Sequence, residues 1–246
     1  MPDHYGAGFF GEREAAAYDD LTADMFDAAV VTPVVATLAD LAGHGRALEL
    51  GIGTGRIALP LAERGVPVHG IDVSEAMVAR LRAKPGGREI DVNIGDFATT
   101  RVDGYFSLVY LVFNTIFNLI TQDEQVACFQ NAAAHLEAGG SFVVELTVPD
   151  LQRIQPGQDI SMIGVDARSM SFDVYDVVTQ RLTSHHFVIS GDRISSYPVE
   201  GRYAWPAELD LMARLAGLRL RERWGGWKRE PFTSLSRSHV SIYEKP

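Results

Sequence analysis

A single cysteine, Cys128, stands among 246 residues. No intramolecular disulfide is available, so the fold must rest on burial, and a reducing cytoplasm is the expected compartment. No stretch approaches the ~20 apolar residues of a membrane helix, and the first residues carry no basic, apolar leader. Neither a membrane nor a secretory route is expected. Basic residues are also scarce: 22 Lys and Arg stand against 32 Asp and Glu, for a formal charge of −10. Gripping a phosphate backbone requires a concentrated basic surface, so nucleic acid is excluded as a partner. Internal repeats and low-complexity tracts are missing too. What remains is ample chain for one large domain, or one domain with an insertion.

Against those absences stands the stretch Glu49-Leu50-Gly51-Ile52-Gly53-Thr54-Gly55, directly after the apolar Ala47-Leu48, with Asp72 ending the next apolar run. Glycines between a strand and a helix let the backbone approach a ligand at the helix N-terminus. An acid ending the following strand can accept hydrogen bonds from ribose hydroxyls. Two residues separate this pattern from the dinucleotide fingerprint. Arg56 occupies the place where that fingerprint needs a small residue, and Glu49 would repel a phosphate but attract an ammonium group. The ligand expected is one with a ribose and a cation but no pyrophosphate. The glycines alone leave two alternatives: an NAD(P)-dependent oxidoreductase, or a non-catalytic protein that keeps the fold as a scaffold.

Glu49 to Gly55, the run Asp72-Val73-Ser74-Glu75-Ala76-Met77 and Gly95-Asp96-Phe97 resemble, in that order, the cofactor motifs of class I S-adenosylmethionine-dependent methyltransferases. The resemblance covers roughly residues 15 to 148. It implies that Glu49 lies near the amino acid end of S-adenosylmethionine and that Gly51 and Gly53 give backbone access. By the same likeness Asp72 takes the ribose hydroxyls, Val73 and Met77 flank the adenine, and Asp96 with Phe97 reads its amine and edge. Leu111 joins this cofactor set. So does Tyr18, because Ala17-Tyr18-Asp19 resembles the Tyr-Asp of the family's N-terminal helix. The carboxylate constellation that holds a divalent ion in catechol-type relatives is not found, so no metal is expected.

Helical patterns near 12–28, 33–43, 55–64, 74–84 and 121–137 alternate with strands at 46–50, 66–71, 89–94, 105–112 and 140–147. This is the rhythm of an α/β fold with a parallel sheet. Gly139-Gly140 is expected to end the fifth helix at its C′ region. After Pro149 the rhythm changes to short alternating runs, with Ser169–Thr179, Leu182–Ser190 and Arg193–Tyr203 separated by turn signals. The whole reads as a Rossmann-like, seven-stranded methyltransferase sheet with an antiparallel β lid inserted after strand 5. The expected segments are a cofactor-binding core over 1–148, the lid over 149–204, and a helix with two strands over 205–246.

A built-in lid favours a small-molecule substrate, and with His186-Phe187-Val188 it resembles the amino-sugar N-methyltransferases of secondary metabolism. Methyl transfer depends on alignment more than on any one base. For that base His186 is the candidate, since imidazole titrates near neutrality. His185 must point to the opposite face of the strand. Glu145, an acid in an apolar run, is the second catalytic candidate. Tyr5, Phe113, Asn114, Tyr175 and Tyr203 are the expected substrate wall. Nitrogen ranks above oxygen and carbon as acceptor, because a neutral amine is already nucleophilic. A homodimer is compatible with the chain.

Overall fold

The computed structural model describes residues 11–166, 168–191 and 193–246. Its centre is two apolar strands, β1 (Ala47–Leu50) and β4 (Phe106–Leu111), which pair in parallel through Ala47 to Leu108 and Glu49 to Tyr110. On one side β2 (Val68–Asp72) and β3 (Asp91–Ile94) extend the parallel sheet, and on the other β5 (Leu136–Thr147) lies beside β4. The C-terminal strands β10 (Arg219–Trp224) and β11 (Ser238–Glu244) close the edge, β11 running antiparallel to β5. The seven strands take the order β10-β11-β5-β4-β1-β2-β3. β1 and β4 are buried almost throughout because helices cover both sheet faces.

Those helices are α1 (Glu12–Leu21), α2 (Ala28–Ala42), α3 (Ala58–Glu63), α4 (Glu75–Ala83), α5 (Gln122–His135) and α6 (Pro206–Leu215). α2 packs Val34, Val35 and Leu38 over Leu108 and Tyr110, while α5 and α6 pack Phe129 and Met212 over the opposite face. α5 starts with a full capping box between Thr121 and Glu124. Ser74 caps α4 by accepting from Met77 N at 3.2 Å.

Three expectations change. The helix foreseen over 12–28 breaks, because Thr22 leaves helical geometry and Asp27 accepts from Ala29 N at 2.8 Å to cap a new helix. Pro33 therefore sits inside α2 rather than at its start, and the helix survives the lost donor by burying its apolar face. α3 starts at Ala58, since Gly55 holds φ +83° and cannot be helical. The helix before Gly139 ends at His135, and Gly139 (φ +78°) belongs to a bulged entry into β5, where the register shifts between Phe106 and Leu108.

A second sheet follows β5. Its strands β6 (Ile160–Val165), β7 (Ser169–Asp176), β8 (Arg181–Ser190) and β9 (Arg193–Arg202) form an antiparallel meander in that order. Its base is fastened to the core by one buried cluster. Arg202 donates to Gln125 Oε1 at 2.6 Å, to Glu208 Oε1 at 2.7 Å and to Gln180 Oε1 at 3.2 Å. Gln180 and Gln122 each donate to Glu208 at 2.7 Å, so the meander, α5 and α6 meet at one carboxylate. Burial pushes the Glu208 carboxyl up, but these hydrogen bonds and the Arg202 charge outweigh it and leave the group below its ordinary range. Among the described residues no helix is long and apolar enough to cross a membrane.

Candidate active site

The C-terminal ends of β1, β2, β3 and β4 face the inner side of the second sheet across a cavity of about 1470 Å³. The switch point of an open α/β sheet is where a ligand crevice is expected.

The glycine turn forms one end. Gly51 and Gly53 hold φ of +75° and +54°, conformations a side chain rarely adopts, and a Cβ on Gly51 would stand 2.6 Å from Thr115 Cγ2. Gly53 N donates to Asp72 Oδ2 at 2.7 Å and Ser74 N donates to Asp72 Oδ1 at 2.8 Å. Burial raises Asp72 above the usual carboxylate range even though these N–H groups pull it back. Helix α1 lies over this turn, tied down by Thr54 Oγ1 donating to Asp19 at 2.6 Å and by Lys84, which pairs with Asp19 at 2.6 Å. Tyr18 is thereby brought to the cavity wall, its hydroxyl raised chiefly by burial. With Val73, Met77, Asp96 and Phe97 on the same wall, the site offers backbone access, acceptors for hydroxyl or amine donors and an apolar bed for a flat ring. That set fits a cationic nucleoside.

At the end of β4 the chain makes an elbow. Phe113 and Asn114 both hold left-handed φ, 59° and 58°, without being glycine. Both line the cavity. The Arg56 guanidinium stacks 4.7 Å over the Phe113 ring and donates to Met25 O at 3.3 Å. Arg56 thus serves packing at the place where a dinucleotide site would need a small residue.

The second sheet supplies the facing wall with Asp173, Tyr175, Leu182, Ser184 and His186 on one side of the pleat. His185 points to the other face and stacks on Phe172 at 5.0 Å. His186 Nδ1 lies 3.0 Å from Ser171 Oγ and Nε2 lies 3.1 Å from Ser184 Oγ. Burial lowers its pKa, with Asp173 opposing the effect and His185 adding to it. Tyr175 donates to Asp173 Oδ2 at 3.0 Å and packs edge-on against Tyr203 at 5.6 Å. Burial, with the Asp173 charge, raises the Tyr175 hydroxyl.

The structure therefore gathers Tyr18, Gly51, Gly53, Asp72, Val73, Met77, Asp96, Phe97, Phe113, Asn114, Tyr175, His186 and Tyr203 around one space. Three expected residues are not on the cavity wall. Glu49 turns beneath the sheet towards α3, accepting from Tyr110 Oη at 2.9 Å, and burial lifts its carboxyl to about 8. Leu111 is wholly inside the core beneath α5. Glu145 stands behind the elbow, accepting from Phe113 N at 2.9 Å and from Trp227 Nε1 at 2.6 Å. Tyr5 lies outside the described residues. Sequence reasoning missed Thr115, Phe117, Ile120 and Thr147 on the core side, Asp173 on the facing wall, and Glu200 and Arg237 around the rim. The even spacing of Asp173 with Tyr175, and of Ser184 with His186, was the available signal for the facing wall. Among the described residues no group of three or more His, Cys, Asp or Glu could hold a metal ion.

Comparison with known proteins agrees with this geometry. A family model described as a methyltransferase domain matches residues 47–140. The CcbJ methyltransferase from Streptomyces caelestis superposes with a TM-score of 0.79 at 41% identity, over 87% of this chain and 88% of that one. The cypemycin N-terminal methyltransferase of a Streptomyces species is 28% identical over 250 residues, 94% of this chain and 99% of that one. The S-adenosylmethionine-bound CalS10, an amino pentose methyltransferase from Micromonospora echinaspora, shares the fold with a TM-score of 0.67 at 22% identity, over 88% and 90%.

Proposed function

Because the chain belongs to the class I S-adenosylmethionine-dependent methyltransferases, we propose that it methylates an amine nitrogen of a small natural-product or related metabolite. The observation that carries the nitrogen is the charge of the cavity wall. Asp72, Asp96, Glu124, Asp150, Asp173 and Glu200 line it; among the described residues the lining cation is Arg237, which pairs with Asp150 at 2.8 Å, and Arg181 pairs with Glu200 at 2.6 Å. A surplus of carboxylates concentrates a cationic amine and disfavours an anionic acceptor.

The cavity of about 1470 Å³ exceeds the ~300–1,000 Å³ of an ordinary single-ligand pocket, so cofactor and acceptor fit side by side. The names of two similar proteins point the same way, one acting at an N-terminus and one on an amino pentose.

When bound, S-adenosylmethionine supplies a methyl group activated by its sulfonium. Gly51, Gly53 and Asp72 would hold the amino acid and ribose parts, while Val73, Met77, Asp96 and Phe97 bed the adenine. Phe113 and Asn114 face the acceptor from the core, and Tyr175, Ser184 and His186 face it from the second sheet. Facing the acceptor from two sides aligns its nitrogen, and that alignment supplies the larger share of the rate. An ammonium must shed its proton before attack. His186 lines the cavity with Nε2 3.1 Å from Ser184 Oγ, and it is the candidate to take that proton through the Ser184 hydroxyl.

Incubating the enzyme with deuteriomethyl S-adenosylmethionine and a metabolite extract tests this reading. The expected product carries the label on nitrogen, as fragmentation in the mass spectrometer locates it. A label found on oxygen or carbon would exclude an amine acceptor.

A further inference from the structure

The elbow after β4 needs an explanation, because two successive side-chain-bearing residues in the left-handed region persist only where the surroundings hold them. Four contacts do so. Glu145 Oε2 accepts from Phe113 N at 2.9 Å, and Asn114 N donates to Glu145 O at 3.3 Å. Asn114 Oδ1 accepts from Thr147 N at 2.7 Å. The second oxygen of Glu145 is taken by Trp227 Nε1 at 2.6 Å, from the turn that joins β10 to β11. Both carboxylate oxygens are thus spent on protein donors, and Glu145 is not on the cavity wall.

From this arrangement we infer that Glu145 and Trp227 are positioning residues for methyl transfer. Together they lock the Phe113–Asn114 elbow so that its two side chains face the acceptor while Thr115 stays packed against Gly51. Glu145 has the chemistry for this and a neutral substitute does not. A carboxylate accepts at both oxygens, whereas a glutamine puts an NH2 that only donates in place of one of them, so it must abandon either the Phe113 or the Trp227 N–H. With that bond lost, the elbow relaxes towards negative φ and draws Phe113 away from Arg56. A shift of about 1 Å in a positioning group can cost roughly 10²-fold in rate. The inference needs only the family's methyl transfer and stands whichever atom accepts the methyl.

Glu145→Gln, Glu145→Ala and Trp227→Phe test it through three measurements. Calorimetric titration with S-adenosylhomocysteine should give dissociation constants within about twofold of wild type. Transfer of labelled methyl into the same metabolite extract should fall ~10-fold for Glu145→Gln and Trp227→Phe and ~100-fold for Glu145→Ala. That loss should persist at the highest extract concentration, as expected for misorientation rather than weakened acceptor binding. A crystal structure of Glu145→Ala with S-adenosylhomocysteine should show Phe113 outside the left-handed region. The inference is overturned if Phe113 and Asn114 keep their conformation in that structure. It is also overturned if cofactor affinity and transfer fall in parallel, which would mark a general structural role. Should Glu145→Ala not fold, Trp227→Phe, which keeps an aromatic ring and removes one donor, decides by the same transfer and affinity measurements. Label on oxygen with the rate pattern intact would sink the amine reading alone.

Discussion

Asp72 carries two backbone N–H bonds at 2.7 and 2.8 Å and still sits above the usual carboxylate range through burial. It both closes the glycine turn and presents the remaining acceptor positions to the cavity. Asp72→Ala should weaken S-adenosylhomocysteine binding by about 10- to 100-fold, the scale of hydrogen bonds to a charged group. Calorimetry reporting less than a twofold change would remove Asp72 from the cofactor site. His239 gives a pH prediction of a different kind. It is fully buried in β11, with Nδ1 2.8 Å from Ser241 Oγ and, among the described residues, no hydrogen-bond partner for Nε2, and burial lowers it to about 4. The unfolded imidazole titrates near 6.5. Between those values the unfolded chain binds the extra proton, so stability falls as pH drops from about 6.5 towards 4, by as much as about 3 kcal/mol. Glu49, lifted to about 8, moves stability the opposite way over the same range, so the His239 share is read as the difference between wild type and His239→Gln in urea melts at pH 7 and pH 5. An unchanged slope in the variant would place the acid sensitivity elsewhere.

The alternation of apolar runs with glycine and capping signals made the α/β core legible at the scale of elements, because each strand and helix announces itself within a few residues. Facing was harder to read. β1 is buried on both sides, so alternation carries no information about which side Glu49 takes, and its pleat turns it under the sheet towards α3. Leu111 and Glu145 also lie off the cavity wall, in runs covered on both faces where alternation says nothing of facing. The break between α1 and α2 was hidden because Asp27 as a cap looks like any other polar residue in an amphipathic stretch. The buried cluster at the base of the second sheet was illegible altogether. Gln125, Gln180, Arg202 and Glu208 come from four separate segments, and only the fold brings them together. Removing one partner of a buried pair strands the other charge, so Arg202→Met should cost about 3 to 5 kcal/mol and expose β6 to β9 to proteolysis first. A melting temperature within a degree or two of wild type would mean that the cluster is not what fastens the meander. The depressed Glu208 carboxyl sets the sign of its own pH effect. Its contribution is complete above the unfolded carboxylate pKa and disappears as pH falls through the folded one.

A formal charge of −10 spread over the molecule and a carboxylate-lined cavity act in the same direction, and together they make a prediction that no single residue makes. Low-dielectric walls focus the field of the rim acids into the cleft, so a cationic acceptor is drawn in while an anionic one is repelled. The range of that attraction depends on salt, since the screening length shrinks from about 10 Å at 0.1 M to about 3 Å at 1 M. For an amine acceptor, kcat/KM should therefore fall roughly three- to tenfold between dilute buffer and 0.5 M salt, mainly through capture of the substrate. S-adenosylhomocysteine has no net charge at pH 7 and serves as the internal control. Its dissociation constant should move less than about twofold across the same range, because its recognition rests on short hydrogen bonds and stacking rather than on the long-range field. Equal salt dependence of the two ligands would mean that salt perturbs the fold rather than the encounter. A rate that rises with salt would mean that the acceptor is repelled by the cavity, and the amine would then have to be abandoned in favour of an anionic substrate.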